Sequence, residues 1–341
     1  MQMRHGLLVL VAACGTDGGK DDPPIDPPTE QSAIERCVAD GGSLRQLWAT
    51  SNQHGPVTSI AVGGSTIVLG SADGSVKQWD VNGSSPSYGT PFLDDTGVVV
   101  DAIAFSSDGQ VLGADREGRL SEWRLSDARA MRTIPVANVP LEVVAVSEHA
   151  EQAAVARGSL YPDVQIIDRS TGAIGNPLTT TLWGVRSVVY GHGGVLFTAG
   201  HWYGVPMIER RVMSAPNEVI ESWSDMAMTA HVHAVAIDPY VTRMAAAGDD
   251  FVAVLQPKAL ETSEPIVREV PGHLAIDAAM LGRDVFATVG QEGTLRLWSA
   301  TTAEPIAMLS IPEPIGLGVD AAGETVFTSG PDGMLRAFGC R

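Results

Sequence analysis

The 341-residue sequence predicts an all-β fold, a closed ring of seven four-stranded antiparallel sheets. Three observations predict it. A tight turn followed by a strand ending on a large residue recurs down the chain. Two further strand-like segments precede each recurrence at near-constant spacing. A strand-like segment near the start supplies the one that the last unit lacks.

The recurring turn and strand read Asp73-Gly74 to Trp79, Glu117-Gly118 to Trp123, Glu292-Gly293 to Trp298, and Asp332-Gly333 to Phe338. Three places before the large residue stands an apolar one: Val76, Leu120, Val164, Ile208, Val252, Leu295 and Leu335, in steps of 44, 44, 44, 44, 43 and 40. The large position itself holds Trp79, Trp123, Ile167, Arg211, Leu255, Trp298 and Phe338, so Arg211 is the exception to a bulky apolar rule.

Each unit opens with a segment of alternating small and apolar residues, at 57–62, 100–105, 142–146, 186–190, 233–237, 276–281 and 315–319. A second segment follows at 66–70, 110–114, 152–156, 195–199, 244–248, 285–289 and 325–329. Val- and Ala-rich strands with Gly at the turns suit sheets packed face to face. Fourth strands are expected at 91–93, 133–136, 172–177, 219–223, 266–270 and 306–309, and none after the seventh unit. The segment 44–48 would complete that last sheet and close the circle, which removes open strand edges. This is a β-propeller.

Here the chain resembles the WD-repeat family, over residues 43–341. The first unit carries His54, Asp73-Gly74 and Trp79-Asp80; the sixth carries Gly272-His273, Glu292-Gly293 and Trp298. The resemblance implies a hydrogen-bonded chain inside the sixth unit through His273, Thr288, Glu292 and Trp298, with Glu in place of the family's Asp. The first unit keeps Asp73 and Trp79 but has Leu69 where the hydroxyl residue belongs, and units three to five lack the Trp.

Residues 1–13 read as a processing segment: Arg4 and His5, then a short apolar run too short to span a bilayer. Val11-Ala12-Ala13-Cys14 resembles the lipobox of bacterial lipoproteins, which implies removal of residues 1–13 and a diacylated Cys14. An ordinary secretory signal is the other reading. Residues 14–31 are Pro-, Asp- and Gly-rich with little to bury, as a disordered tether would be. Residues 32–42 form a lead-in, where Ala33, Ile34, Cys37 and Val38 stand at helical spacing. Export permits disulfides, and lipidation of Cys14 leaves an even count. If the first and last strands pair antiparallel, Cys37 and Cys340 come together and are expected to bond.

The net charge of −18 and pI near 4.7 argue against a nucleic-acid partner and against electrostatic docking on anionic lipid. No phosphate loop, His-Glu-x-x-His or Gly-x-Ser-x-Gly occurs, so neither catalytic residues nor a cofactor are expected. His231 and His233 share a strand face, but zinc needs a third ligand and none is near in sequence, so no metal is expected. Carboxylates at turns, Asp249-Asp250 among them, are expected to cap those turns. Two enlarged loops carry aromatics: 157–162 with Tyr161, and 200–206 with His201, Trp202 and Tyr203. These are the candidate binding residues; the alternative is that they pack on their own sheets. The expected function is a monomeric, lipid-anchored cell-envelope scaffold that binds protein partners. The rivals are a lactonase-like or quinone-dependent propeller enzyme and a glycan- or peptide-recognition propeller.

Overall fold

The computed structural model describes residues 31–51, 55–82, 85–93, 98–147, 149–157, 163–214, 216, 218–238, 241–319 and 323–341. Cys14, His54 and Tyr161 lie outside the described residues.

Among the described residues the chain forms one helix, Ala33–Ala39, and 26 strands, whose pairings are all antiparallel. In the first unit Val57–Gly63, Thr66–Ser71, Val76–Asn82 and Ser85–Leu93 lie side by side in that order. The units that begin at Val100, Val143 and Gly184 repeat the arrangement. Innermost strands are covered on both faces by neighbouring sheets. Val100–Ser106 and Gly184–Gly191 are therefore buried at every position, whereas the outer strand Pro305–Ser310 has no buried residue. The cores lie between sheets: Ala102, Ala104, Leu112 and Leu120 of one sheet pack on Val144, Ala153, Val155 and Ile167 of the next.

The innermost strands touch in a closed cycle. Val57–Gly63 meets Val100–Ser106, then follow Val143–Val146, Gly184–Gly191, Val232–Ile237, Ile266–Met280 and Gly316–Val319, which returns to Val57–Gly63. The protein is a β-propeller.

The ring closes as the two termini suggested. Leu44–Ser51 pairs with Met334–Cys340, Leu44 opposite Cys340, and completes the last sheet. Cys37 and Cys340 form a disulfide with Cα atoms 5.9 Å apart. Gly42 is fixed by this bond, since a Cβ there would stand 2.3 Å from Cys37 Sγ. The helix starts with a capping box of Ser32 and Glu35. Glu35 is buried and accepts from Asp284 N at 2.6 Å and Val285 N at 3.2 Å, while Ile34 enters the last core beside Leu281, Leu317 and Phe338. The helix is thus a clasp over the first turns of the last two units.

Two expectations need correction. Hydrogen bonding groups the strands into six sheets, not seven: five of four strands and one of six. The six-stranded sheet contains two long strands, Met244–Leu255 and Ile266–Met280. Ile266–Met280 pairs residues 266–269 with 251–254, and its end, 275–280, with Val285–Gly290. Of Pro271-Gly272-His273-Leu274 only Leu274 has a strand partner, Asp249, at a shift of register, yet the strand runs on through these residues, so no gap separates the units there. The segment 172–177 is not a strand either. Only an isolated bridge joins Ile167 to Ile174, and the strand forms at Leu178–Thr179, past Pro177, which has no N–H to give to a ladder.

Candidate functional site

Every innermost strand begins at one rim of the ring, and the turn between the second and third strands returns to it. Five innermost strands carry a register shift near their start, at Val57/Ser59, Val100/Ala102, Val185/Ser187, Val232/Ala234 and Ala275/Asp277. The residues skipped are Thr58, Asp101, Arg186, His233 and Ile276. A bulge re-aims one side chain and is frequent beside sites; here four of the five residues are polar.

One part of the rim holds a cavity of about 530 Å³ lined by Thr58, Asp101, Arg116, Gln291 and Glu313. Arg116 donates to both Asp101 oxygens at 2.7 and 3.0 Å. Burial raises the Asp101 pKa, and the Arg116 hydrogen bonds and charge oppose it.

Another part is aromatic. The enlarged segment 200–206 is not an irregular loop. Val195–Trp202 and Val205–Val212 pair out to Trp202 opposite Val205, and the chain reverses through Tyr203-Gly204 alone. Both turn residues have positive φ, 51° and 83°, as a two-residue hairpin turn requires. Tyr203 at that tip is 65% exposed, Trp202 39% and Trp183 52%. Tyr203 lies between the two indoles, 4.0 Å from Trp183 and 5.1 Å, edge-on, from Trp202. The three form one rigid, half-exposed shelf.

Beside the shelf stands a histidine cluster. Asp249 Oδ2 is 3.1 Å from His231 Nδ1, and Oδ1 is 2.8 Å from His233 Nε2. Burial raises the Asp249 pKa, but the hydrogen bonds from both imidazoles outweigh it and hold the carboxylate below its usual range. His201 leans on His231 with ring centroids 4.2 Å apart. Burial first, then the charges of His231, Arg186 and His233, push His201 down to about 4. Its Nδ1 is buried and, among the described residues, has no hydrogen-bond partner; the same holds for Arg186 Nε. These residues offer imidazole nitrogens and a carboxylate together, a donor set able to take a metal ion.

The residues expected to order the sheets are separate from this. Trp298 Nε1 donates to Thr288 Oγ1 at 2.8 Å, Thr288 Oγ1 is 2.9 Å from His273 Nε2, and His273 Nδ1 is 2.6 Å from Glu292 Oε1. His273, Thr288 and Trp298 are buried. With the indole N–H donating to Thr288, the consistent tautomer has the Thr288 hydroxyl donating to Nε2 and Nδ1–H donating to Glu292. In the first unit Asp73 accepts from Ser75 N at 2.9 Å and Oγ at 2.7 Å, capping its turn. Trp79 packs with Phe327, Leu335 and Ala337 of the closing sheet.

Sequence reasoning missed two residues of the rim. Asp249 is the third group of the histidine cluster. It was separated from His231-Val232-His233 along the chain, but Val232 pairs with Gly248, so the next turn residue falls beside the histidines. Trp183 is the second face of the aromatic shelf; its backbone N–H donates to His201 O at 2.8 Å, which fixes the chain there against the hairpin. No protein-family model matches the chain, and no curated protein matches it in sequence.

Proposed function

We propose that this chain is a seven-bladed, WD-repeat-like propeller, anchored at the bacterial cell envelope by lipid on Cys14, that works as a protein-binding scaffold. Reading Met244–Leu255 and Ile266–Met280 as two strands each turns the six-stranded sheet into two four-stranded blades. Core membership supports this. Ala246 shares a core with Phe251 and Ala253, and Ala247 shares another with Val252 and Val254, an inversion of face that fits a reversal at Asp249-Asp250. Asp250 has φ 62°. The cycle of innermost strands then has seven members. The Trp298–Thr288–His273–Glu292 chain supports the WD-like reading.

The observation that carries the function is the shelf of Trp183, Trp202 and Tyr203. Large aromatics grouped and exposed on a rigid hairpin are costly to leave in water and inexpensive to order on binding. Its test is capture from native envelope with wild-type protein and with Trp183→Ala and Tyr203→Ala. Proteins held by the wild type and lost by both variants support the scaffold reading; unchanged capture rejects it. Glycan binding by the shelf on an array, without a protein partner, would favour the recognition reading instead. For the anchor, Cys14→Ser should move the protein from the membrane fraction to the soluble one, and an unacylated wild-type mass would reject it.

A further inference from the structure

The geometry points to a zinc-class metal site on the loop rim, with His231, His233 and Asp249 as its ligands. It stands independently of the scaffold reading and of the lipid anchor.

The three donor groups are already assembled: their ligand atoms all lie within 4.8 Å of one another. A four-coordinate ion with bonds near 2.1 Å keeps its ligand atoms about 3.4 Å apart, so small side-chain rotations close the set. The backbone holds the ligands in place. His233 is the extra residue of the bulge between Val232 and Ala234. Asp249 N donates to His231 O at 3.2 Å, which ties the turn bearing the carboxylate to the segment bearing the imidazoles. The following Asp250 sits at φ 62°, and its Oδ1 accepts from Gly272 N at 2.6 Å, pinning the turn from its other side. Asp is among the few non-Gly residues that take this region readily in a turn, so the conformation holds without strain.

The donor set selects the ion. Two imidazoles and one carboxylate suit Zn²⁺ and its neighbours, whereas Ca²⁺ and Mg²⁺ take oxygen ligands almost exclusively. His201 is a separate sign. It is stacked on His231 and presents a buried Nδ1 that has no partner among the described residues. The net charge of −18 favours cations throughout. Three protein ligands leave a position for water or for an atom of an external ligand. Arg186, buried and in the field of Asp249, would favour an anionic one.

The test uses the protein purified without a polyhistidine tag, stripped with chelator and titrated with Zn²⁺ by calorimetry. Wild type is expected to take one zinc per chain and to melt at a higher temperature with it. His231→Ala and Asp249→Asn are expected to lose about a hundredfold in affinity, some 2.7 kcal/mol. The melting shift should vanish with it, while Asp73→Asn, in the turn of the first unit, keeps both. Co²⁺ loaded into the wild type should show the intense visible bands of a four-coordinate nitrogen and oxygen site. Wild type that takes up no stoichiometric zinc, or variants that bind as wild type does, would overturn the assignment. His231 is partly exposed, so its replacement spares the fold; retained wild-type melting of the metal-free variant checks this.

Discussion

Arg211 Nη2 lies 2.7 Å from Glu209 Oε2, and neither side chain is exposed. Arg211 occupies the place held by Trp298 two units later. The pair survives burial because most of its remaining groups are served, Arg211 Nε being the one left without a hydrogen-bond partner among the described residues. Arg211 donates to Thr179 O at 2.7 Å and Pro216 O at 3.1 Å; Glu209 accepts from Thr181 N at 2.8 Å and from the hydroxyls of Thr181 and Thr198. This unit replaces an aromatic plug with an ionic one.

Removing one partner should be severe. Arg211→Ala or Glu209→Ala leaves a buried, uncompensated charge and should cost about 3–5 kcal/mol in urea denaturation. Replacing both with apolar residues of similar volume should recover much of that loss. Single variants with an unchanged midpoint would contradict the account.

His273 makes stability depend on pH. Burial lowers its pKa, and the hydrogen bond and charge of Glu292 only partly restore it. The folded state therefore binds a proton less readily than the unfolded one. The stability contributed by neutral His273 is present above about pH 6.5 and is lost as pH falls from there through the depressed folded value. His273→Gln should be less stable than wild type at pH 7.5, and the gap should narrow toward pH 5. A gap of constant size would rule the mechanism out.

The disulfide spans 303 residues of sequence. In the chain-entropy model it contributes up to roughly 6 kcal/mol, less whatever structure the reduced unfolded chain keeps. Cys37→Ser should lower the urea midpoint, and amide exchange should speed up first in Leu44–Ser51. Equal midpoints for oxidised and reduced wild type would show that the seam holds without the bond.

The aromatic shelf should be dispensable for folding. Tyr203 and Trp183 are more than half exposed. Tyr203→Ala should therefore stay within about 0.5–1 kcal/mol of wild type. It also replaces one positive-φ residue with another, so the turn is not relieved. A loss above about 3 kcal/mol would mean that the shelf packs the sheet rather than serving a partner.

The repeat was legible because propeller sheets impose the same demands in each unit: small apolar residues inside, Gly at tight turns, a bulky plug at the third strand. Cys37 and Cys340 were legible for the same reason, since closing the circle dictated which strands meet. Other features were hidden. Asp249 looked like one more turn carboxylate, because proximity to His231 and His233 depends on register, not on distance along the chain. Trp183 stands outside any periodic position and gains meaning only from Tyr203. The continuation of one strand, Ile266–Met280, through the register shift at 270–274 depends on backbone geometry, which residue types do not fix. Arg211 stood out as an anomaly, and its explanation lay in Glu209, two residues away on the same strand face.

The clasp also has a mechanical meaning. The helix sits where Asp284 and Gly323 turn, at the end of the ring away from Tyr203 and His233. Tension arriving from residues before Ser32 reaches Cys37 before it reaches Leu44. There the load divides through sulfur into the last strand, Met334–Cys340, so both ends of the ring are pulled at once. Leu44–Ser51 is spared being unzipped residue by residue. A load applied ahead of Ser32 would therefore act on the back of the ring, opposite the aromatic rim, and would not open it.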